Sequence, residues 1–246
     1  NYPDQPDRHS ELGSGYGLEA YPNMSRMDWA VELFQWFNYY LKDIGDEPEP
    51  MVQIQTNDGR WHVEDTWPPE DMMWDLADIG TDWSVTGDTV NGQGASVTLV
   101  SGELTELTHI SGLPTLHLEV TTQACQGGQI FATLYDNEDN LRLGHATMDV
   151  RYRDGGYDAK ATSPFSSYTM LMEFNPLDVV VPAGHTLRIE LTENGEDYLP
   201  SPCASNPLGG LTVDGGVVGL PIIDRPKSHD SWFLAPPWWE QQPIPE

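Results

Sequence analysis

The sequence predicts a mainly β fold, a jelly-roll sandwich preceded by one amphipathic helix. Two observations lead there. Short apolar or alternating runs recur at Ser96–Val100, Thr115–Val120, Gln129–Tyr135, Ala146–Tyr152, Tyr168–Phe174, Thr186–Leu191 and Gly216–Ile223, with turn signals at Asn91-Gly92, Asp154-Gly155-Gly156 and Pro182-Ala183-Gly184 between them. Seven such runs separated by Gly/Pro/Asn turns are the pattern of a sandwich or jelly roll. Ahead of them, Trp29, Leu33, Trp36, Phe37, Tyr40 and Leu41 recur at the spacing that places them on one helical face, and Ser25 with Asp28 supplies a capping pair at its start.

An aromatic stripe of that size needs a partner surface, which the reading places outside this chain. Residues 1–23 are rich in Pro, Gly, Asp and Tyr and show neither the helical nor the strand period, as expected of the interior of a longer fold.

Length and charge set further bounds. With 246 residues the chain is long enough for one β domain plus a segment belonging to another. No run approaches the ~20 apolar residues of a membrane-spanning helix. Acidic residues number 39 against 11 basic ones, a formal charge of −28, so nucleic acid is excluded as the expected partner. The acids are spread along the whole chain, while lysine is confined to Lys42, Lys160 and Lys227. That distribution favours a surface suited to high salt over local acidic clusters that bind cations or a basic partner. The expected consequence is a melting temperature that falls on desalting, as screening of self-repulsion is lost. Melts that superimpose at low and high NaCl would count against it.

Candidate chemical groups are few. Cys125 and Cys203 lack metal or redox spacing, and two outcomes stay open for them: a disulfide across the sandwich or two separate buried thiols. The acidic run Asp136-Asn137-Glu138-Asp139-Asn140 reads as a solvated hairpin tip or a calcium loop, the hairpin being favoured because the distal Glu of a calcium loop is missing. His109, His117 and His185 fall in or beside predicted strands, where packed or half-exposed histidines outnumber metal ligands. No metal and no cofactor are expected. The Trp/Pro-rich tail Ser231–Glu246 is expected to anchor back on the sandwich.

Several segments in order carry a resemblance: Asp7-Arg8-His9, Gly15-Tyr16-Gly17, Tyr21-Pro22, Trp36-Phe37-Asn38-Tyr39-Tyr40-Leu41-Lys42, Val52-Gln53-Ile54-Gln55, Gly59-Arg60-Trp61 and Trp67-Pro68-Pro69. Together they resemble the X-Pro dipeptidyl-peptidase and cocaine esterase family of serine hydrolases. Ile110–Pro114, Ala132–Asp136 and Val181–Ile189 resemble strand motifs of that family's C-terminal jelly roll, a galactose-binding-like domain. The resemblance implies two parts. Residues 1–75 would be the end of an α/β-hydrolase domain (loop, helix, strand), and residues 76–246 the jelly roll with its tail, with the boundary near Pro68 to Trp83.

It also implies a Ser-His-Asp triad whose His would fall just before Asn1, leaving His9 as the candidate for a general base within this chain. The chain has no G-x-S-x-G elbow, so no complete triad is expected within it. The function expected from the resemblance is that of the non-nucleophile portion of a peptidase or acyl esterase, shaping the substrate cleft and stabilising the catalytic half. That half, on a separate or cleaved chain, is the expected partner, together with self-association into a homo-oligomer. The alternative is a carbohydrate-binding or structural extracellular module without activity. An extracellular or cell-surface, high-salt setting is expected.

Overall fold

A computed structural model describes residues 26–47, 52–57, 61–125, 127–154, 157–195 and 199–224; the side chains of residues 26–32, 53, 55, 61 and 63 lie outside that description. His9, the 1–23 segment and the 231–246 tail fall outside the described residues. The chain is mainly β, in antiparallel sheets.

Helix α1 (Arg26–Lys42) comes first. Its end is set by Asp43, which takes a left-handed conformation (φ 54°) and lets the Ile44 N–H bond back to the Asn38 carbonyl at 3.0 Å. Of its described side chains, Leu33, Phe34, Trp36, Phe37, Tyr40 and Leu41 are all exposed. Trp36 stacks on Tyr40 at 4.8 Å and meets Phe37 edge-on at 5.2 Å, so the aromatic stripe is ordered within itself.

A two-stranded hairpin follows, β1 (Val52–Gln55) with β2 (Trp61–Glu64). Then comes the sandwich. Its strands are β3 (Met73–Asp78), β4 (Ser84–Thr86), β5 (Thr89–Val90), β6 (Val97–Val100), β7 (Thr108–Gly112), β8 (Thr115–Thr122), β9 (Gln129–Asp136), β10 (Leu141–Asp149), β11 (Ser167–Glu173), β12 (Leu177–Val181), β13 (Leu187–Thr192) and β14 (Leu211–Ile223). One sheet runs β10-β9-β13-β6-β4. The other runs β11-β8-β14-β7-β12, with β3 and β5 also paired to β14.

The alternation that marked the strands is the alternation of burial. Along β8, Leu116, Leu118, Val120 and Thr122 point inward while His117 and Glu119 face solvent. Along β13, Leu187, Ile189 and Leu191 point inward. These side chains meet Leu99, Ile130, Leu134, Met170, Met172, Phe174 and Trp83 in one core between the sheets. β14 is the spine of its sheet, touching β5 and β8 at its start and β3 and β7 at its end. Gly216 makes its close pairing possible: a Cβ there would stand 2.0 Å from the His117 carbonyl oxygen.

The structure departs from the sequence reading in several elements. The run expected to continue as strand to Tyr152 ends at Asp149, because the Asp149 carboxylate caps the Arg151 N–H and turns Val150–Tyr152 into a 3-10 turn. β10 starts earlier, at Leu141, and β14 reaches back to Leu211. The hairpin tip between β9 and β10 is present, but Asp136 at its base is buried rather than solvated. The two cysteines form one disulfide, Cys125–Cys203, with a Cα separation of 5.9 Å. No helix among the described residues is long and apolar enough to cross a membrane.

Candidate functional site

The outer face of the β7–β12 edge holds the most concentrated polar chemistry of the described residues. β12, the five-residue run Leu177-Asp178-Val179-Val180-Val181, is buried along its whole length. Leu177, Val179 and Val181 go into the sandwich core, which by strand alternation turns Asp178 and Val180 outward. Register pairs Asp178 with Ser111 and Val180 with His109, so His109 and Ser111 of β7 share that outer face. A face carrying a carboxylate would ordinarily meet water. Here the 52–64 hairpin covers it.

Asp178 stands at the centre of a hydrogen-bond network. Its Oδ1 lies 3.0 Å from His62 Nε2 and 3.0 Å from His109 Nε2, and its Oδ2 accepts from the Ser111 hydroxyl at 2.5 Å. The other nitrogen of His62, Nδ1, lies 3.0 Å from Glu64 Oε1. The two imidazoles meet edge-on, 5.5 Å between centroids. His62, Glu64, His109, Ser111 and Asp178 are all buried. Burial works against ionisation of Asp178, but the hydrogen bonds and charges of His109 and His62 outweigh it and hold its carboxyl down to about 2. Burial also disfavours a charged His62, yet the hydrogen bond and charge of Asp178, joined by Glu64, raise its pKa.

Asn57 completes the contact. Its side-chain amide donates to the Val180 carbonyl at 2.9 Å and accepts from the Val180 N–H at 2.7 Å. The amide thus does for the open edge of β12 what a neighbouring strand would do.

A second, shallower cluster lies at the β9–β10 tip. His185 Nδ1 is 2.8 Å from the buried Asp136 Oδ1, and Glu138 accepts from the Thr186 N–H at 2.6 Å. Arg188 donates to Asn137 and Asn140. The acidic run is therefore a hairpin tip tied down onto the start of β13. Hydrogen bonding by Asp136 raises the His185 pKa above its ordinary 6.5. A raised histidine pKa stabilises the fold below the unfolded value, and that stabilisation is lost as pH climbs through the folded value. His185→Gln is therefore expected to lower the melting temperature below pH ~6.5 and to converge on the parent above it. Melts of both proteins across that range test this, and a gap that widens with rising pH would refute it.

Of the histidines noted in the sequence, His109 lies in the buried network, His185 binds Asp136, and His117 faces solvent on β8. Sequence reasoning missed His62, Glu64 and Asp178. One signal was available for Asp178, a lone carboxylate inside an apolar strand run. Little local marked His62: it bonds Glu64 two residues on, but its partner in the network's centre, Asp178, lies 116 residues away.

Comparison with known proteins places the sandwich. Residues 74–208 match the family model of the X-Pro dipeptidyl-peptidase C-terminal non-catalytic domain. A Bacillus anthracis protein whose name assigns it to the Xaa-Pro dipeptidyl-peptidases is 24% identical over 229 residues, covering 81% of this chain and 38% of its own length. Among solved structures, an aminopeptidase from a marine-sediment Thaumarchaeota archaeon superposes with a TM-score of 0.62 at 15% identity, covering 83% of this chain and 45% of that one. A CocE/NonD family hydrolase from Staphylococcus aureus gives 0.59 at 13% identity, over 80% and 46%. An α-amino acid ester hydrolase gives 0.56 at 15%, over 84% and 47%. This chain spans less than half the length of each of these relatives. With a family model matched over more than half of its residues, the chain belongs to the X-Pro dipeptidyl-peptidase C-terminal non-catalytic domain family.

Proposed function

We propose that this chain is the C-terminal, non-nucleophile part of a serine hydrolase of the X-Pro dipeptidyl-peptidase and CocE kind, bracing the catalytic half and walling one side of its cleft. One observation carries the reading. The helix that precedes the sandwich presents Leu33, Phe34, Trp36, Phe37, Tyr40 and Leu41 outward. A contiguous aromatic face of that kind fits a protein partner rather than water. The hairpin that follows the helix is held to β12 through His62 and Asn57, and His62 meets His109 of β7 edge-on. In this reading the chain shapes access to the cleft, while the nucleophile and its base belong to the catalytic half.

The test is a fluorophosphonate probe for an activated serine, applied to undenatured material that contains this chain and followed by intact mass and a denaturing gel. A labelled polypeptide continuous with this sequence, or bound to it, is expected. Replacing Trp36 and Phe37 by Ser should weaken that association or the labelling. Material containing these residues alone, with no label, would overturn the reading in favour of a binding or structural role.

A further inference from the structure

We propose that His62, His109 and Asp178 form a binding site for a divalent transition metal ion of the zinc class, stapling the 52–64 hairpin onto the β7–β12 edge of the sandwich. His62 Nε2, His109 Nε2 and Asp178 Oδ1 all lie within 4.8 Å of one another, and each imidazole nitrogen is 3.0 Å from the carboxylate oxygen. Ligands ~2.1 Å from a tetrahedral zinc ion stand about 3.4 Å apart. Each imidazole nitrogen therefore needs to part from the carboxylate oxygen by only about 0.4 Å to admit the ion.

The donor inventory points the same way. A neutral imidazole carries one N–H, and an ionised carboxylate only accepts. His62 faces a carboxylate oxygen at each of its two nitrogens, so one of the two contacts needs a proton beyond the neutral imidazole's own, or a metal ion at that nitrogen in its place. With the ion at Nε2, the Nδ1–H donates to Glu64, which gives the carboxylate–histidine–metal relay that orients imidazole ligands and raises their basicity. Ser111 performs the matching service for the other ligand: its hydroxyl holds Asp178 Oδ2 and leaves Oδ1 directed at the imidazoles. The ligands come from β2, β7 and β12, strands that pairing holds in place. Two imidazoles and one carboxylate suit zinc-class ions, whereas calcium and magnesium call for oxygen ligands throughout.

The experiment uses the full untagged chain, stripped with chelator and then given Zn2+ alone. About one equivalent retained after dialysis is expected, together with a raised melting temperature that chelator reverses. X-ray absorption at the zinc edge should show two imidazole ligands. His109→Gln should lose the retained equivalent, and Glu64→Gln should weaken Zn2+ binding by roughly 10- to 100-fold. Asp139→Asn, in the surface cluster at the β9–β10 tip, should leave binding unchanged. Should His109→Gln fail to fold, the parent chain loaded with Co2+ still decides, since a buried low-coordinate nitrogen and oxygen site gives intense visible bands. No retained metal, no such bands, or loss of binding in Asp139→Asn would overturn the proposal. These readouts involve this chain alone, so their failure leaves the hydrolase reading untouched.

Discussion

Asp178→Asn is expected to destabilise the chain by about 3–5 kcal/mol, the cost of removing one partner from a buried charged network. The side chain keeps its shape, so packing is not the cause. One carboxylate presently serves His62, His109 and Ser111. An amide has one acceptor oxygen, and its NH2 would face either the two imidazoles or the Ser111 hydroxyl. The first orientation sets the NH2 against both imidazoles, the second lets it donate to the Ser111 oxygen so that only the hydroxyl proton loses its acceptor, and in either the charge that supports a protonated or metal-bound His62 disappears. Urea unfolding followed by tryptophan fluorescence measures the effect, with a lower midpoint and an unchanged slope expected. An unchanged midpoint would mean that the network contributes nothing to holding the hairpin. Ser111→Ala should cost less, since it leaves both imidazoles paired.

Breaking the Cys125–Cys203 bond is the second large expected effect. The bond joins residues 78 apart in sequence. By the chain-entropy relation, closing a loop of that length restricts the unfolded chain by about 4.5 kcal/mol. In the folded state it ties the segment after β8 to the loop that leads into β14. Beside it, that loop is held by local bonds such as Cys203 N–H to Ser201 Oγ at 3.1 Å and by long-range ones, Cys125 N–H to the Leu208 carbonyl at 3.3 Å and the Gln93 amide to the Ala204 carbonyl at 3.4 Å. The Cys125→Ser/Cys203→Ser pair should therefore unfold at clearly lower urea than the parent, and a reductant should move the parent to the same midpoint. Coincident unfolding curves with and without reductant would contradict the assignment of stability to this bond.

The sandwich was legible in the sequence wherever one strand face meets the core and the other meets water. β6, β8, β11 and β13 fall within a few residues of the expected runs because burial itself alternates there, whereas β9, buried continuously from Ile130 to Leu134, reads as an unbroken apolar run. β12 gives no such signal. Both its faces are covered, so Leu177-Asp178-Val179-Val180-Val181 reads as an apolar run with a misplaced acid. β4 and β5, three and two residues long, are too short to show any period. β7 is legible only through the family resemblance at Ile110–Pro114. The polar network was hidden for a related reason: it is assembled from residues 62, 109 and 178, and only the pairing of β7 with β12 and the fold-back of the hairpin bring them together. Charge spacing along one chain says nothing about such meetings.

The Asn57 amide on Val180 bears on where this chain can be cut for study. A fragment cut at Met73, where the sandwich sheet begins, would keep every strand of both sheets. It would lose the group that occupies the free backbone of β12, and the Val180 N–H and C=O would be bared beside an unshielded Asp178. Such a fragment would offer a ready template for strand addition by a second copy. A fragment that starts at Val52 instead would keep Asn57 on the Val180 backbone and His62 on Asp178.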